Sequence, residues 1–364
     1  MRRIGVSLYL SKSTFEEDQA YLDLARKYGF TRIFTSLLEI EGDTTEVIHK
    51  YKRTIEYGNS IGMETILDIS PALFEQLRIS YEDLSFFKEL GASGLRLDLG
   101  FTGLEEAMMT KNTLGLKIEV NMSSGTKYIE NIMSYHPNKD QLCASHNFYP
   151  QQYTGISQTH FEETTALFNK YHLTTAAFVT SQVGQLGPWP VQTGLCTLED
   201  HRFLNIQTQV THYRLMGTID DLIIGNAYAT EAELKAMSEA FFSPHPLLPI
   251  DAYTDLLPIE KKILFNETHI YRGDRSAYLI RSTATRVKYK AEDFPVREVK
   301  PIEKGDVIIG SNAFGQYKGE TQIALTAVDN LGERNVVGAM KKEAIFLLDY
   351  LKPWSSFHFV ESMC

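Results

Sequence analysis

Cysteine is scarce in this sequence: Cys143, Cys196 and Cys364 are all it has, far apart, odd in number and without C-x-x-C spacing. That excludes a disulfide framework and a cysteine-based zinc site, and it fits a reducing cytoplasm. Long apolar runs are missing too, since nothing approaches the roughly 18 consecutive apolar residues of a membrane-spanning helix. Residues 1–10 combine a basic start with an apolar run, but polar Ser11-Lys12-Ser13 follows too soon for a signal peptide. A first β-strand is expected there instead. Positive charge is in deficit, with 36 Lys and Arg against 46 Asp and Glu and a formal net charge of -10. Nonspecific binding to nucleic acid or to an anionic membrane is therefore not expected, whereas a local basic pocket for a phosphate is compatible with the total.

The common cofactor and nucleophile signatures are also absent. There is no G-x-S-x-G elbow, no Walker loop and no glycine fingerprint after the first apolar run. His136, His146 and His160 lack H-E-x-x-H or comparable spacing, and no dense Asp/Glu/His cluster stands out. Neither a metal nor another cofactor is expected. The chain is 43% hydrophobic and 23% charged, ordinary for a soluble globular protein. Its 364 residues exceed one average domain. Nothing in the sequence specifies an oligomeric state.

What is present is an alternation of short apolar runs with longer amphipathic stretches. The runs fall at 4–9, 32–37, 64–69, 94–99, 116–120, 141–146, 175–180 and 222–226. They are spaced as βα units and match in number what a TIM (β/α)8 barrel requires, with an open doubly wound sheet as the competitor. Ser13-Thr14-Phe15-Glu16 resembles a capping box, and Gly29, Gly62 and Gly91 stand where helices should stop. The barrel is expected over 1–243. Prolines then interrupt regular structure, and 244–257 reads as a linker. From 258 to 364 short strands at 269–272, 277–281, 306–309 and 322–327, with turns at 272–274 and 329–332, predict a small, mostly β barrel.

Chemistry is expected at strand ends. Gly94-Leu95-Arg96-Leu97-Asp98 and Lys117-Ile118-Glu119-Val120-Asn121 each close an apolar run with a carboxylate, which a buried strand has no structural use for but a barrel enzyme places at its rim. Successive strands would set Asp98 and Glu119 side by side, able to flank a scissile bond as a general acid and an ionised partner. Alternation sends Arg96 with Asp98 and Lys117 with Glu119 to common faces, so ion pairs are the structural alternative. Asn121, Asp68, His146, Asn147 and Tyr149 are candidate substrate contacts, and Ser7, Tyr9, Thr35, Ser36, Glu39 and Ser70 stand at other strand ends. The loop 182–190, with Trp189, reads as a lid, a sugar platform or a rigid surface loop. Downstream, Asn312, Gln316 and Tyr317 lie in a loop resembling a binding loop. Arg272 or Arg275 would meet a phosphate in a cleft between the domains.

Taken in order, Arg3-Ile4-Gly5-Val6-Ser7-Leu8-Tyr9, the two acid-ended strands, His146-Asn147-Phe148-Tyr149-Pro150 and Gly315-Gln316-Tyr317-Lys318-Gly319-Glu320 resemble the bacterial 6-phospho-N-acetylmuramidase family over nearly the whole chain. The resemblance implies a TIM barrel followed by a cyclophilin-like β barrel. It implies hydrolysis of the β-1,4 bond between N-acetylmuramic acid 6-phosphate and N-acetylglucosamine, in cytoplasmic cell-wall recycling. Relatives have carried the label outer surface protein, which the lack of a signal peptide argues against. The implied catalytic acids fall on Asp98 and Glu119, with a substrate-assisted route through the N-acetyl group left open. The implied substrate is strongly anionic, and Arg96, Arg272 and Arg275 are the cations to meet it. Two other classes remain: a phosphosugar isomerase or aldolase using Glu119 as base or Lys117 as Schiff base, and a noncatalytic carbohydrate-binding protein.

Overall fold

The computed structural model describes residues 2–37, 44–77, 79–190 and 193–362, so that Glu39 and Cys364 lie outside the described residues. The chain divides into two units, Met1–Val210 with Gly217–Phe241, and Thr211–Met216 with Phe242–Cys364.

The first unit is a closed barrel of eight parallel strands: β1 (Ile4–Leu8), β2 (Arg32–Ser36), β3 (Glu64–Ile69), β4 (Gly94–Leu97), β5 (Lys117–Asn121), β6 (Leu142–Ser145), β7 (Thr174–Val179) and β8 (Asp221–Ile224). β1 pairs with both β2 and β8, so no edge is left and the open-sheet alternative fails. Helices follow the strands and cover the outside. Consequently β1, β2, β4, β6 and β8 are buried along their whole length, as parallel strands covered on both faces must be.

Local signals explain where the helices begin and end. In the helix Phe15–Lys27, the Thr14 hydroxyl accepts from the Glu17 N–H at 3.3 Å and the Glu17 carboxylate accepts from the Thr14 N–H at 2.8 Å. The capping box thus sits one residue beyond the expected Ser13–Glu16, because the Ser13 hydroxyl donates instead to Asp18 at 2.8 Å. Gly29, Gly62 and Gly91 take φ of 83°, 78° and 91°, the left-handed turn that only glycine adopts cheaply after a helix.

Inside the barrel, apolar and ionic layers alternate. Phe34 on β2 packs against Phe178 on β7 with ring centroids 5.2 Å apart, and both meet Phe148. Toward the N-terminal ends of the strands, the Arg32 guanidinium bonds Glu119 on β5 and Asp221 on β8, the latter at 3.0 Å. Arg3 adds bonds of 3.0 and 2.8 Å to Asp221. Charges taken this far from water persist only when mutually paired, and here each acid has its guanidinium.

The second unit is a seven-stranded sheet, β9 (Leu247–Ala252), β10 (His269–Ile270), β11 (Leu279–Ser282), β12 (Asp306–Gly310), β13 (Thr321–Ala324), β14 (Arg334–Met340) and β15 (Ser356–Glu361), ordered β10-β15-β9-β14-β12-β13-β11. Its edges approach through the Arg272 N–H, which donates to the Arg281 carbonyl at 2.9 Å, giving a nearly closed small β-barrel. The core includes Ile250, Ile263, Val307, Ile309, Ile323, Val337, Phe357 and Phe359. The expected linker at 244–257 is corrected here: it contains β9, between β15 and β14. Pro249 fits within that strand because the pairing with β14 begins only at Ile250, so its missing N–H interrupts no bond on that side. Among the described residues no helix is long and apolar enough to cross a membrane.

Candidate active site

A cavity of about 230 Å³ opens at the C-terminal ends of the barrel strands, lined by Ser36, Asp68, Arg96, Asp98, Asn147, Phe148, Tyr149, Pro188 and Trp189. Each comes from the end of a strand or from the loop after it, the face where barrel enzymes gather their chemistry. Arg96 is the hub. Its side chain is 3% exposed, and its Nη1 donates to Asp68 at 2.6 Å and to Asp98 at 3.3 Å. Its Nε donates to the Ser145 hydroxyl at 2.8 Å, and Nη2 donates to the Asn147 side-chain oxygen. A planar guanidinium held at this many points fixes both carboxylates relative to each other. Because both oxygens bond one nitrogen, they lie within about 6 Å of each other.

The two aspartates differ in environment. Asp68 is enclosed, and burial raises its carboxyl to about 6; Arg96 opposes the shift, while the Asp98 charge adds to it. A carboxyl near 6 is partly protonated at neutral pH and can give up a proton. The Asp98 side chain is 34% exposed and faces the cavity beside the same guanidinium. Two acids with one enclosed and one open to solvent are the arrangement in which acid and carboxylate roles separate.

Part of the cavity wall is apolar. Phe148, Tyr149, Pro188 and Trp189 provide flat faces, and burial raises the Tyr149 hydroxyl above its ordinary pKa. The loop 182–190 is pinned, since the Lys12 ammonium donates to the Gly187 and Pro188 carbonyls at 2.7 and 2.8 Å, and Leu186 and Ala227 exchange backbone bonds of 2.6 and 2.9 Å. These bonds fit a loop held in place, as a rigid surface loop or a sugar platform would be.

Not every expected residue reaches the cavity. Glu119 was expected beside Asp98, but the β4–β5 register places it opposite Arg96, a layer deeper. It is fully buried, and its Oε1 is 4.0 Å from the Arg96 Nε while its Oε2 bonds Arg32. Burial opposes its ionisation, yet Arg32, the Ser145 hydroxyl and Arg96 together hold its pKa below the usual glutamate value. Asn121 is the β5 residue level with Asp98; its amide donates to the Asp98 carbonyl at 3.2 Å and its oxygen accepts the Ser123 N–H at 2.8 Å. It shapes the rim without lining the cavity.

His146 is turned away from the cavity. Alternation along β6 sends Ser145 and Asn147 inward and His146 outward, where its ring lies 4.6 Å from that of Phe161. Its nitrogens meet Ser123 at 3.0 Å and Thr165 at 2.9 Å, and burial lowers its pKa to about 3. The substrate contact expected of it is corrected to a packing role. Lys117 is exposed, with Nζ on the Asp140 carbonyl at 2.5 Å, so neither the Schiff-base role nor an ion pair with Glu119 is served.

In the second unit, Arg272, Gln316 and Tyr317 line a separate concavity together with Arg281 and Arg286. Arg275 is exposed and does not line it. Asn312 is committed to its own loop, donating to Asp293 at 2.6 Å and accepting the Phe294 N–H at 3.1 Å. Among the described residues no group of three or more His, Cys, Asp or Glu side chains is arranged to hold a metal ion.

Sequence reasoning missed Arg32 and Asp221. Their signal was a charge at an inward position near the start of an otherwise apolar strand. Arg281, Arg286 and Glu320 were also missed as a group, since only folding brings β11, the residues after it and the loop before β13 together.

Comparison with known proteins agrees with this architecture. The family model described as 6-phospho-N-acetylmuramidase, N-terminal, matches residues 4–239, and the corresponding C-terminal model matches residues 246–360. No curated protein matches the chain. A solved structure of an uncharacterized B. cereus protein is 45% identical, with 99% of each chain covered and a TM-score of 0.90. A conserved Enterococcus faecalis protein of unknown function is 24% identical over 99% of this chain and 96% of its own, with a TM-score of 0.76; it supports the fold alone.

Proposed function

The chain belongs to the 6-phospho-N-acetylmuramidase family, and from that premise we propose that it hydrolyses the β-1,4 bond between N-acetylmuramic acid 6-phosphate and N-acetylglucosamine, as a step of cytoplasmic peptidoglycan recycling. The observation that carries this reading is the Arg96-centred pair of carboxylates at the barrel mouth, one enclosed and one open. Protonated Asp68 donates to the glycosidic oxygen as the bond to the leaving sugar breaks. Asp98 captures the anomeric carbon as a glycosyl ester, and Asp68, now a carboxylate, takes a proton from the water that then attacks that carbon and frees Asp98. Retaining glycosidases separate their carboxyl groups by about 5–5.5 Å and inverting ones by about 6.5–9.5 Å. A shared Arg96 nitrogen supports the shorter spacing, and hence retention of configuration.

Glu119, enclosed and bonded to Arg32, serves in this reading as a positioning residue that holds the Arg96 side chain from below. Trp189 and Tyr149 supply faces on which pyranose rings pack, and Asn147 holds Arg96 from the side. The test is release of N-acetylglucosamine from the phosphorylated disaccharide and from its unphosphorylated form. Release from the phosphorylated form alone is expected. Folded protein that releases nothing from either form would overturn the proposal and leave a carbohydrate-binding role. The lyase alternative loses its lysine, because Lys117 is exposed and tied to Asp140.

A further inference from the structure

We propose that the second unit holds a phosphate-monoester site of its own, built by Arg281, Arg286 and Lys290 and taking a sugar phosphate. The phosphate follows from the charge and geometry below, while the sugar rests on the phosphosugar reading just given.

The site begins with Glu320, fully buried just before β13. It accepts two bonds from Arg281, Nε at 2.8 Å and Nη2 at 3.1 Å, and pairs with the Arg286 Nη1 at 3.2 Å. One carboxylate thus gathers two guanidinium groups, whose central carbons lie 5.7 and 5.1 Å from the Tyr317 ring centroid. A buried acid needs one cation for compensation; the second is surplus. Each guanidinium carries five N–H donors. Arg281 keeps Nη1, and Arg286 keeps Nε and Nη2, without an acceptor among the described residues.

These groups face a concavity of about 610 Å³, also lined by Arg272, Lys290 and Gln316. That volume lies within the ~300–1,000 Å³ usual for small-molecule sites. Arg272 pairs with Asp274. Four cations against the carboxylates of Glu320 and Asp274 leave two positive charges unmatched, in a chain whose net charge is -10. A phosphate monoester carries about -1.5 to -2 near neutral pH and offers three acceptor oxygens, which suits that surplus. Forked guanidinium donors suit phosphate geometry, and the Tyr317 ring with the Gln316 amide suits a sugar beside it. A polyanion is disfavoured by the acidic remainder of the chain.

The ligand's phosphate has two sources, the disaccharide substrate or a free sugar phosphate, and the experiment separates them. Calorimetric titration of the full chain with N-acetylglucosamine 6-phosphate, inorganic phosphate and unphosphorylated N-acetylglucosamine reads the site without turnover. Arg286→Gln and Lys290→Gln leave the Arg281–Glu320 pair intact, and thermal melts check their folding. Each is expected to weaken phosphosugar binding about tenfold, the loss of one charge-assisted contact. If the substrate's phosphate binds here, titration of the variants with the phosphorylated disaccharide weakens by the same factor. If only a free sugar phosphate binds, the monosaccharide titration changes while the disaccharide titration does not. Wild type that binds neither phosphate probe, or folded variants that bind as wild type does, would overturn the site. Binding without hydrolysis would overturn the hydrolase reading and leave the phosphate site standing.

Discussion

The barrel contains two arginine-centred clusters, and they differ in depth and in access to the cavity. Around Arg32, near the N-terminal ends of the strands, two guanidinium groups (Arg3 and Arg32) meet two fully buried acids, Glu119 and Asp221. Around Arg96, at the mouth, one guanidinium meets two aspartates beside a cavity. The lower cluster is enclosed, apart from Arg3, which also pairs with the more exposed Glu64, and this suits holding strands β2, β5 and β8 together. In the upper one burial, with a smaller push from the Asp98 charge, displaces the Asp68 carboxyl toward neutrality against the pull of Arg96. The same residue types therefore do different work, because an enclosed carboxyl beside an open cavity has a proton to give and somewhere to give it.

Substitutions can break that contrast. The largest effect is expected from Arg32→Met, which takes from the buried Glu119 its nearest cation and leaves Asp221 to Arg3 alone; about 3–5 kcal/mol of stability should be lost, read by urea denaturation. Asp98→Asn should lower kcat by about 10²–10⁴-fold with an almost unchanged melting temperature, since its half-open side chain contributes little to packing. Asp68→Asn should lower kcat and also change the pH profile. In wild type the proton donor is present below about pH 6 and lost as pH rises through that value, so the rate should fall on the alkaline side. The variant should lack that limb.

Smaller effects sharpen the outline of the site. Trp189→Ala should raise KM by about tenfold through loss of a stacking face, with kcat held. His146→Gln should cost about 1–3 kcal/mol of stability by disturbing the bonds to Ser123 and Thr165, and leave kcat/KM per folded molecule near wild type. Loss of turnover in that folded variant would return His146 to the site.

The strand periodicity made the barrel legible in the sequence, because a parallel sheet buried on both faces needs near-continuous apolar runs and glycines at helix ends. In the second unit β9 stayed hidden, since Pro249 reads as a strand breaker until its pairing, with β15 and not with β14, is known. At the mouth, Asp98 and Arg96 were readable as a same-face pair. Glu119 was misplaced by one layer because sequence spacing shows that β4 and β5 are neighbours but not their register, and a two-residue offset separates rim from interior. His146 failed for a related reason: at a strand end, one position decides between cavity and outer packing. Around Glu320, the loop with Gln316 and Tyr317 was legible, whereas Arg281 and Arg286 carried no local signal.

The central claim is that the mouth cluster performs the chemistry and the Arg32–Glu119 cluster supports it. The direct test is to measure kcat on the phosphorylated disaccharide and the urea midpoint together for wild type, Asp98→Asn and Glu119→Gln. The account predicts that Asp98→Asn loses turnover at an unchanged midpoint, whereas Glu119→Gln lowers the midpoint and keeps kcat per folded molecule within about tenfold of wild type. A Glu119→Gln protein that stays as stable as wild type and no longer turns over would contradict it and place the reacting acid one layer deeper.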